Sequence, residues 1–244
     1  MSDSYIIIAS WNSSLKNNTA TYNQTFSPSI VLDPNESYEI SFVTLDTYYS
    51  FPNIITGTND KFTYTKNGNP VTLTFPQGCY EITTINSTLQ TLLGADAGKI
   101  TISLVIPQLK SSITIADNYT VDLTPNDSIG SSLGFNKRVL NVGTTTSDNI
   151  VAISRTNTIY VTCDLISSSY VDGIPTSVIY NFFPNVPPGY KLIEVNLRED
   201  TYLPINKSQI SSISIGLIDQ DNNPIDFQGD TITIRFHLRK KITK

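Results

Sequence analysis

The feature that most constrains the fold is a period-two alternation of apolar and polar residues close to the C-terminus. Ile213, Ile215 and Leu217 alternate with serine and glycine, and the pattern returns from Thr231 to Leu238 after an Asp/Asn/Pro cluster at 219–224. Period-two alternation puts every second side chain on one face of a strand, so both segments are expected to be half-buried strands joined by a turn or short loop. The stretch therefore predicts wall strands of a β-rich protein.

The same pattern recurs along the chain in short segments separated by Asn, Asp, Gly and Pro. The Lys66-Asn67-Gly68-Asn69-Pro70 stretch is a strong hairpin signal, because Asn-Gly accepts positive φ. Many short strands at turn-spaced intervals favour a sandwich or barrel over βαβ units. The predicted strands are 5–9, 21–26, 38–45, 62–65, 71–75, 100–105, 112–115, 119–123, 150–154, 158–165, 177–183, 191–197, 213–218 and 231–238.

Two segments predict short helices. In 83–94, Ile85, Leu89 and Leu92 share one helical face, threonines precede them as N-cap candidates, and Gly94 follows as a C-cap. The segment 127–135, after Pro125, predicts a shorter helical turn. Both are expected in connections between strands.

Length and composition fit one large all-β domain. The chain has 244 residues, only 15% of them charged, and is rich in aromatic and β-branched residues that suit a pleated surface. No repeat or linker is evident, so residues 1–244 are expected to form one continuous domain ending in a short basic tail at about 239–244. The net charge of −5 argues against general nucleic-acid binding and leaves room only for a local contact.

The start of the sequence predicts a cytosolic, soluble product. An acidic residue stands where a signal peptide would carry positive charge, and no apolar run approaches the ~20 residues needed to cross a bilayer. The two cysteines, Cys79 and Cys163, are too few and too far apart to indicate a disulfide framework or a zinc site, and are expected to be buried or idle thiols.

No constellation of residues predicts catalysis, a cofactor or a metal. His237 is the sole histidine of the sequence and shares its strand face with Thr231, Thr233, Arg235 and Arg239, so a surface or interface role is favoured over chemistry. The Asp219-Gln220-Asp221-Asn222-Asn223 run begins like a calcium loop, but Pro224 and Asp230 stand where an EF-hand needs Gly and Glu. Asp and Asn are equally what a tight turn requires. The protein is therefore expected not to be an enzyme.

The basic C-terminus offers one candidate contact site. Arg239, Lys240, Lys241 and Lys244 are concentrated at the end of an acidic chain. One interpretation is a solvated terminus that aids solubility, and the other is an electrostatic contact with DNA phosphates or an acidic partner.

An ordered series of strand and turn patterns resembles a known group of proteins. Its segments are Phe51-Pro52-Asn53-Ile54, Phe75-Pro76-Gln77-Gly78-Cys79-Tyr80-Glu81-Ile82, Leu133-Gly134-Phe135, Val186-Pro187-Pro188-Gly189-Tyr190, Tyr202-Leu203-Pro204-Ile205 and Ile232-Thr233-Ile234-Arg235-Phe236-His237-Leu238-Arg239. Together these segments resemble the jelly-roll capsid proteins of small eukaryotic DNA viruses and of Polinton/Maverick (adintovirus) elements. The likeness is tightest from about Val186 onward.

The resemblance implies an all-β, single jelly-roll β-sandwich, since the chain is short for the double jelly roll of the group's major capsid protein. It implies a structural virion protein of penton or minor capsid type, which forms pentamers at five-fold vertices and contacts the major capsid protein. It also implies localisation in the virion after synthesis in the host cytoplasm, with packaged DNA as a possible partner of the basic tail. Assembly into closed rings would cover the sheet edges that a jelly roll exposes.

Two other classes of function remain open. A jelly-roll carbohydrate-binding or attachment module could use the tyrosines in or near loops, because exposed aromatic rings with polar neighbours stack on sugars. Those tyrosines are Tyr48, Tyr49, Tyr170 and Tyr180. An enzyme would require a concave pocket containing His237 or converging carboxylates.

Overall fold

The structure, a computed structural model, describes residues 4–12, 21–153, 156–196, 201–205 and 207–241. These residues form 18 strands, one α-helix and three short 3-10 helices. The helix α1 is Ile82–Leu93, and the strands in chain order are β1 Ser4–Asn12, β2 Thr21–Val31, β3 Tyr38–Tyr48, β4 Lys61–Lys66, β5 Asn69–Thr74, β6 Ile100–Val105, β7 Lys110–Ile115, β8 Tyr119–Asp122, β9 Val139–Leu140, β10 Gly143–Thr146, β11 Ile159–Cys163, β12 Ser169–Val171, β13 Ile174–Thr176, β14 Val178–Phe182, β15 Lys191–Val195, β16 Leu203–Pro204, β17 Gln209–Asp219 and β18 Thr231–Lys240.

The chain divides into two compact units. Unit 1 comprises Met1–Phe51 and Thr156–Lys244, and unit 2 comprises Pro52–Arg155. Unit 2 is thus an insertion in the sequence of unit 1, between β3 and β11. Each unit has a separate cluster of buried hydrophobic residues.

Unit 1 is a jelly roll. One antiparallel sheet has the order β1-β18-β3-β15, with β16 also pairing with β3, and the other has the order β14-β11-β17-β2. Two antiparallel sheets built on four strands each, with neighbours that are distant in sequence, are typical of this fold, and β16 adds a fifth strand to the first sheet. The predicted fold class, an all-β jelly-roll sandwich with a short helix in a connecting segment, is confirmed.

The alternation near the C-terminus explains the core of unit 1. Ile232, Ile234, Phe236 and Leu238 are fully buried on the inner face of β18. The same cluster contains the inward residues of β17, which are Ile213, Ile215 and Leu217. Period-two sequence patterning therefore supplies one buried face to each sheet of the sandwich.

Unit 2 consists of two small sheets and α1. The sheets have the orders β5-β4-β8-β9 and β10-β7-β6. The β4–β5 hairpin turns at Asn67 and Gly68, whose φ angles are 49° and 82°, as the Asn-Gly signal predicts. Helix α1 buries Ile85 and Leu89 in the core of this unit, and the Thr84 hydroxyl accepts a hydrogen bond from the Glu81 N–H at its N-terminus.

Several sequence expectations differ from the structure. The segment 150–154 is not a strand over its described residues 150–153, and the segment 127–135 contains only a 3-10 helix at Ile129–Ser131. The short strands β9, β10, β12, β13 and β16 were not predicted. The sequence showed no linker, yet the structure has two cores; that all 244 residues act as one domain stays a prediction. Among the described residues, no helix is long and apolar enough to span a bilayer.

Candidate functional site

The basic residues predicted as a tail belong partly to the last strand. Strand β18 extends through Lys240, so the expectation of a tail from residue 239 is corrected. Arg239 Nε donates to Glu39 Oε1 at 2.8 Å, and its guanidinium lies 3.5 Å from the centroid of the Tyr202 ring. Lys240 Nζ lies 2.7 Å from Glu36 Oε1. These two cations are therefore already paired within unit 1.

The other two predicted contact residues lie beyond β18. Lys241 is exposed, and its N–H donates to the Ser37 carbonyl. It lines a cleft of about 290 Å³ together with Asp33, Glu36 and Lys207, so charges of both signs meet there. Lys244 lies outside the described residues. Of the three described basic residues, Arg239 and Lys240 are paired with glutamates, and the contact of the four residues with DNA or a partner stays a prediction.

His237 lies at the centre of a small hydrogen-bonded group on the outer face of β18. Its Nε2 is 2.6 Å from the Ser4 hydroxyl, and its Nδ1 is 2.6 Å from the Tyr202 hydroxyl. Burial lowers the pKa of His237, and the neighbouring Arg239 lowers it further. A neutral imidazole can donate from one nitrogen and accept at the other, so both contacts are satisfied. The imidazole ring therefore links β18 to Ser4 of β1 and to Tyr202.

The loop between β17 and β18 has the geometry of a turn. Asp219 Oδ1 accepts hydrogen bonds from the N–H groups of Asp221 and Asn223, at 2.9 and 2.8 Å. A carboxylate engaged by its own loop backbone caps the turn, which is the role that the composition also allowed. Within the described ranges, no group of three or more His, Cys, Asp or Glu side chains is arranged to hold a metal ion.

Both cysteines are free thiols. Cys163 is fully buried in the core of unit 1. Burial raises the pKa of its thiol to about 12, which suppresses the reactive thiolate at neutral pH. This residue therefore acts as a small core side chain, as the sequence predicted.

Unit 2 contains a buried ionic network that the sequence did not reveal. The Asp96 carboxylate accepts hydrogen bonds from the hydroxyls of Tyr119 and Tyr64, at 2.8 and 3.2 Å, and lies 2.5 Å from Lys66 Nζ. The hydrogen bond from Lys66 is the main cause that lowers the pKa of Asp96, and that from Tyr119 is the next. The network connects the 3-10 helix Gly94–Asp96 to β4 and β8, and its role is to stabilise the packing of unit 2.

The outer face of the β1-β18-β3-β15 sheet exposes apolar side chains at both of its edges. On β1, Ile6 and Ile8 are 59% and 56% exposed, and they lie opposite His237 and Arg235. On β15, Ile193 and Val195 are also exposed. Exposed apolar residues grouped on one face commonly mark a surface that binds another protein.

The four candidate tyrosines of a carbohydrate site do not all converge, but Tyr170 and Tyr180 line the same cleft. Tyr49 is buried and stacks on Phe51, and Tyr180 stacks on Phe42 at a centroid distance of 4.3 Å with its hydroxyl on Glu194. Both rings belong to the packing of unit 1. Tyr48 ends β3 in the first sheet, whereas Tyr170 lies on the β12–β13 hairpin. Tyr170 is exposed where it borders that cleft, and the strand residue Tyr160 on the same cleft was missed.

Comparison with solved structures identifies a protein of the same fold. No family model and no curated protein matches the sequence. Among 24 matching chains of solved structures is the crystal structure of the selenomethionine-labelled mavirus penton protein, with a TM-score of 0.51 and 13% identity. The match covers 98% of this chain and 100% of that chain. The two proteins share a fold. The predicted resemblance to penton-type jelly-roll proteins is thereby confirmed at the level of the fold.

Proposed function

We propose that this protein is a structural virion protein, a subunit that assembles into a capsid. The observation that carries the proposal is the eight-strand jelly roll of unit 1 combined with a likeness to the mavirus penton protein over nearly the whole of both chains. A likeness confined to the jelly roll would point only to a widely used fold. Here it extends over the inserted unit as well, which favours a shared role.

The finer proposal is a penton or minor capsid protein that forms pentamers at five-fold vertices, beside the major capsid protein. A single jelly roll suits a small ring subunit. In a ring, one face of each subunit contacts a different face of the next, and the rotation closes at five copies. The proposed role is non-enzymatic, and the protein would be made in the host cytoplasm and function in the virion.

The outer face of the β1-β18-β3-β15 sheet is the proposed contact surface between copies. Its edge residues Ile6 and Ile8 expose apolar area beside the polar residues Arg235 and Thr233 in the middle of the sheet. An apolar patch with polar neighbours matches the composition of subunit interfaces. Strand β1 is also an edge strand, and edge strands left uncovered invite pairing with other chains.

Mass photometry and negative-stain microscopy of the full-length protein test the assembly. We expect a pentamer of the 26.9 kDa chain. The double variant Ile6→Glu/Ile8→Glu should shift the protein to monomers, since each charge would have to be buried in the contact. Ile106→Glu, at another exposed isoleucine in unit 2, is the matched control and should leave the ring intact. A wild-type protein that stays monomeric at high concentration contradicts the proposal.

The basic C-terminus is proposed to contact packaged DNA through Lys241 and Lys244. Each phosphate that a lysine neutralises releases about one counterion from the DNA, and this release makes the affinity depend on salt concentration. Each lost phosphate contact therefore lowers that dependence. In a plot of the logarithm of the DNA association constant against the logarithm of the salt concentration, the variant Lys241→Gln/Lys244→Gln should therefore reduce the steepness of the slope by about 2. An unchanged slope would remove this role, without bearing on the ring.

A further inference from the structure

A small hairpin stands over the outer face of the second sheet of unit 1. Strands β12 and β13 pair from Ser169 to Thr176, and their turn at Asp172 and Gly173 has φ angles of 51° and 79°. Two consecutive positive φ angles give the tight type I′ turn that matches the twist of a hairpin. The Ser169 hydroxyl donates to the Thr176 carbonyl at 2.8 Å. The hairpin is therefore a preformed support for the residues it carries.

The hairpin and the sheet border an open cleft. The cleft has a volume of about 400 Å³; Tyr160, Val178 and Asn181 line it from the sheet, and Tyr170 and Asp172 line it from the hairpin. A second cleft of about 320 Å³ shares Tyr160, Val178 and Asp172, and is lined on its far side by Ile218 and Gln220. Both volumes fall in the range of small-molecule sites, about 300–1,000 Å³.

The side chains around the first cleft combine aromatic rings with uncommitted polar groups. Tyr170 is 69% exposed and lies opposite Pro175 in the hairpin ladder. Within the described part of the chain, the Asn181 amide and the Asp172 carboxylate make no hydrogen bond, and no lysine or arginine lines either cleft. An amide and phenol hydroxyls can both donate to and accept from ligand hydroxyls, and an ionised carboxylate accepts from them.

This chemistry selects one class of ligand. A phosphate or sulfate group would need a cation, and the Asp172 carboxylate would repel it. A lipid chain would need apolar walls. A sugar ring presents an apolar face of C–H groups to an aromatic ring and hydroxyls at its rim.

We propose that the cleft between the β12–β13 hairpin and the sheet binds a neutral saccharide, stacked on Tyr170 and hydrogen-bonded by Asn181 and Asp172. The second cleft would accept a further sugar unit. The proposal does not depend on ring assembly.

Saturation-transfer NMR with the full-length protein tests the proposal, using neutral disaccharides of galactose, mannose and N-acetylglucosamine beside a sialylated trisaccharide. We expect at least one neutral sugar to bind and the sialylated one not to bind. Tyr170→Ala should weaken binding about tenfold, which corresponds to about 1.4 kcal/mol, because it removes the aromatic face on which the sugar ring stacks. Tyr170→Phe should retain stacking, and Asn181→Ala should weaken binding as well.

Tyr190→Ala is the matched control, since Tyr190 is equally exposed but lies outside both clefts. Binding of none of the neutral sugars at millimolar concentration overturns the proposal, as does a preference for the sialylated one. The oligomeric state of Tyr170→Ala is measured in parallel. If this variant loses the ring, the hairpin is a subunit contact and the saccharide proposal fails. If the wild-type protein is monomeric but binds sugar, the capsid proposal fails instead.

Discussion

At the scale of single residues, His237 connects three segments of unit 1 through its two ring nitrogens. The sequence predicted a surface histidine whose replacement by alanine would cost within about 0.5 kcal/mol, as for an ordinary surface change. The 2.6 Å contacts to Ser4 and Tyr202 indicate a larger cost. We expect His237→Ala to lower the free energy of unfolding by about 1–2 kcal/mol, the usual value of one or two lost hydrogen bonds.

The same residue makes stability depend on pH. The pKa of His237 is lower in the folded protein than its ordinary value of 6.5. As the pH falls through about 6.5, the unfolded chain therefore takes up the proton first, and the folded state loses stability. Urea unfolding at pH 7.5 and pH 5.5 should show this decrease in the wild type, and a smaller one in His237→Ala. Arg235→Ala, on the same strand face, is the control. Equal decreases in His237→Ala and the wild type would contradict the assignment.

Asp96 gives a second residue-scale prediction, in unit 2. Its partners Lys66 and Tyr119 lower its pKa below 3.8, so the unfolded carboxyl is protonated first as the pH falls towards that range. Stability from this group is thus present at neutral pH and lost in acid. We expect Asp96→Asn to lower the melting temperature at pH 7 and to reduce the fall between pH 5 and pH 3. The control Asp117→Asn, at an exposed residue, should change neither the melting temperature at pH 7 nor its fall between pH 5 and pH 3. If Asp96→Asn shows the same fall as the wild type, the network does not stabilise the protein in this pH-dependent way.

At the scale of elements, the end of β18 decides how much of the C-terminus can be removed. In the ladder with β3, Arg239 lies opposite Glu39 and Lys240 lies opposite Tyr38. Arg239 also forms an ion pair with Glu39, and Lys240 forms one with Glu36. Removal of residues 239–244 should therefore lower the melting temperature, whereas removal of 242–244 alone should leave it unchanged. Differential scanning fluorimetry of the two truncations makes the comparison. Equal melting temperatures would restore the view that the tail begins at residue 239.

The elements that could be predicted from sequence are those whose pattern is local. Strands β17 and β18 show two-residue alternation, and Asn67-Gly68 encodes its own turn, so these were found. Strand order and the placement of unit 2 between β3 and β11 depend on pairings between distant residues, which no local period records. The cleft beside Tyr170 was missed for the same reason. In the sequence, Tyr160 has the pattern of an ordinary strand residue, and only the folded structure places the β12–β13 hairpin beside it.

At the scale of the whole molecule, the two cores predict how the protein unfolds. The chain has one tryptophan, Trp11, which packs against Tyr22 in unit 1 and so reports on that unit alone. Leu89 is fully buried in unit 2, where its replacement by alanine should cost about 2–5 kcal/mol. Because the clusters share no buried residue, we expect Leu89→Ala to lower the calorimetric transition of unit 2 and leave the Trp11 fluorescence transition in place. Joint movement of both transitions would establish one cooperative domain, as the sequence suggested.

The central position of β18 has a consequence for synthesis on the ribosome. This strand is made after the other 17 described strands, yet it lies between β1 and β3, and residues 231–239 pair with residues 4–12. The strands β1 and β3 emerge early and lack the strand that lies between them until the ten residues of β18 have left the exit tunnel. A nascent chain released before residue 231 would retain unpaired strand edges in the middle of its sheet and would be prone to aggregate. Unit 2 draws its strands from residues 61–146 and can form while translation continues.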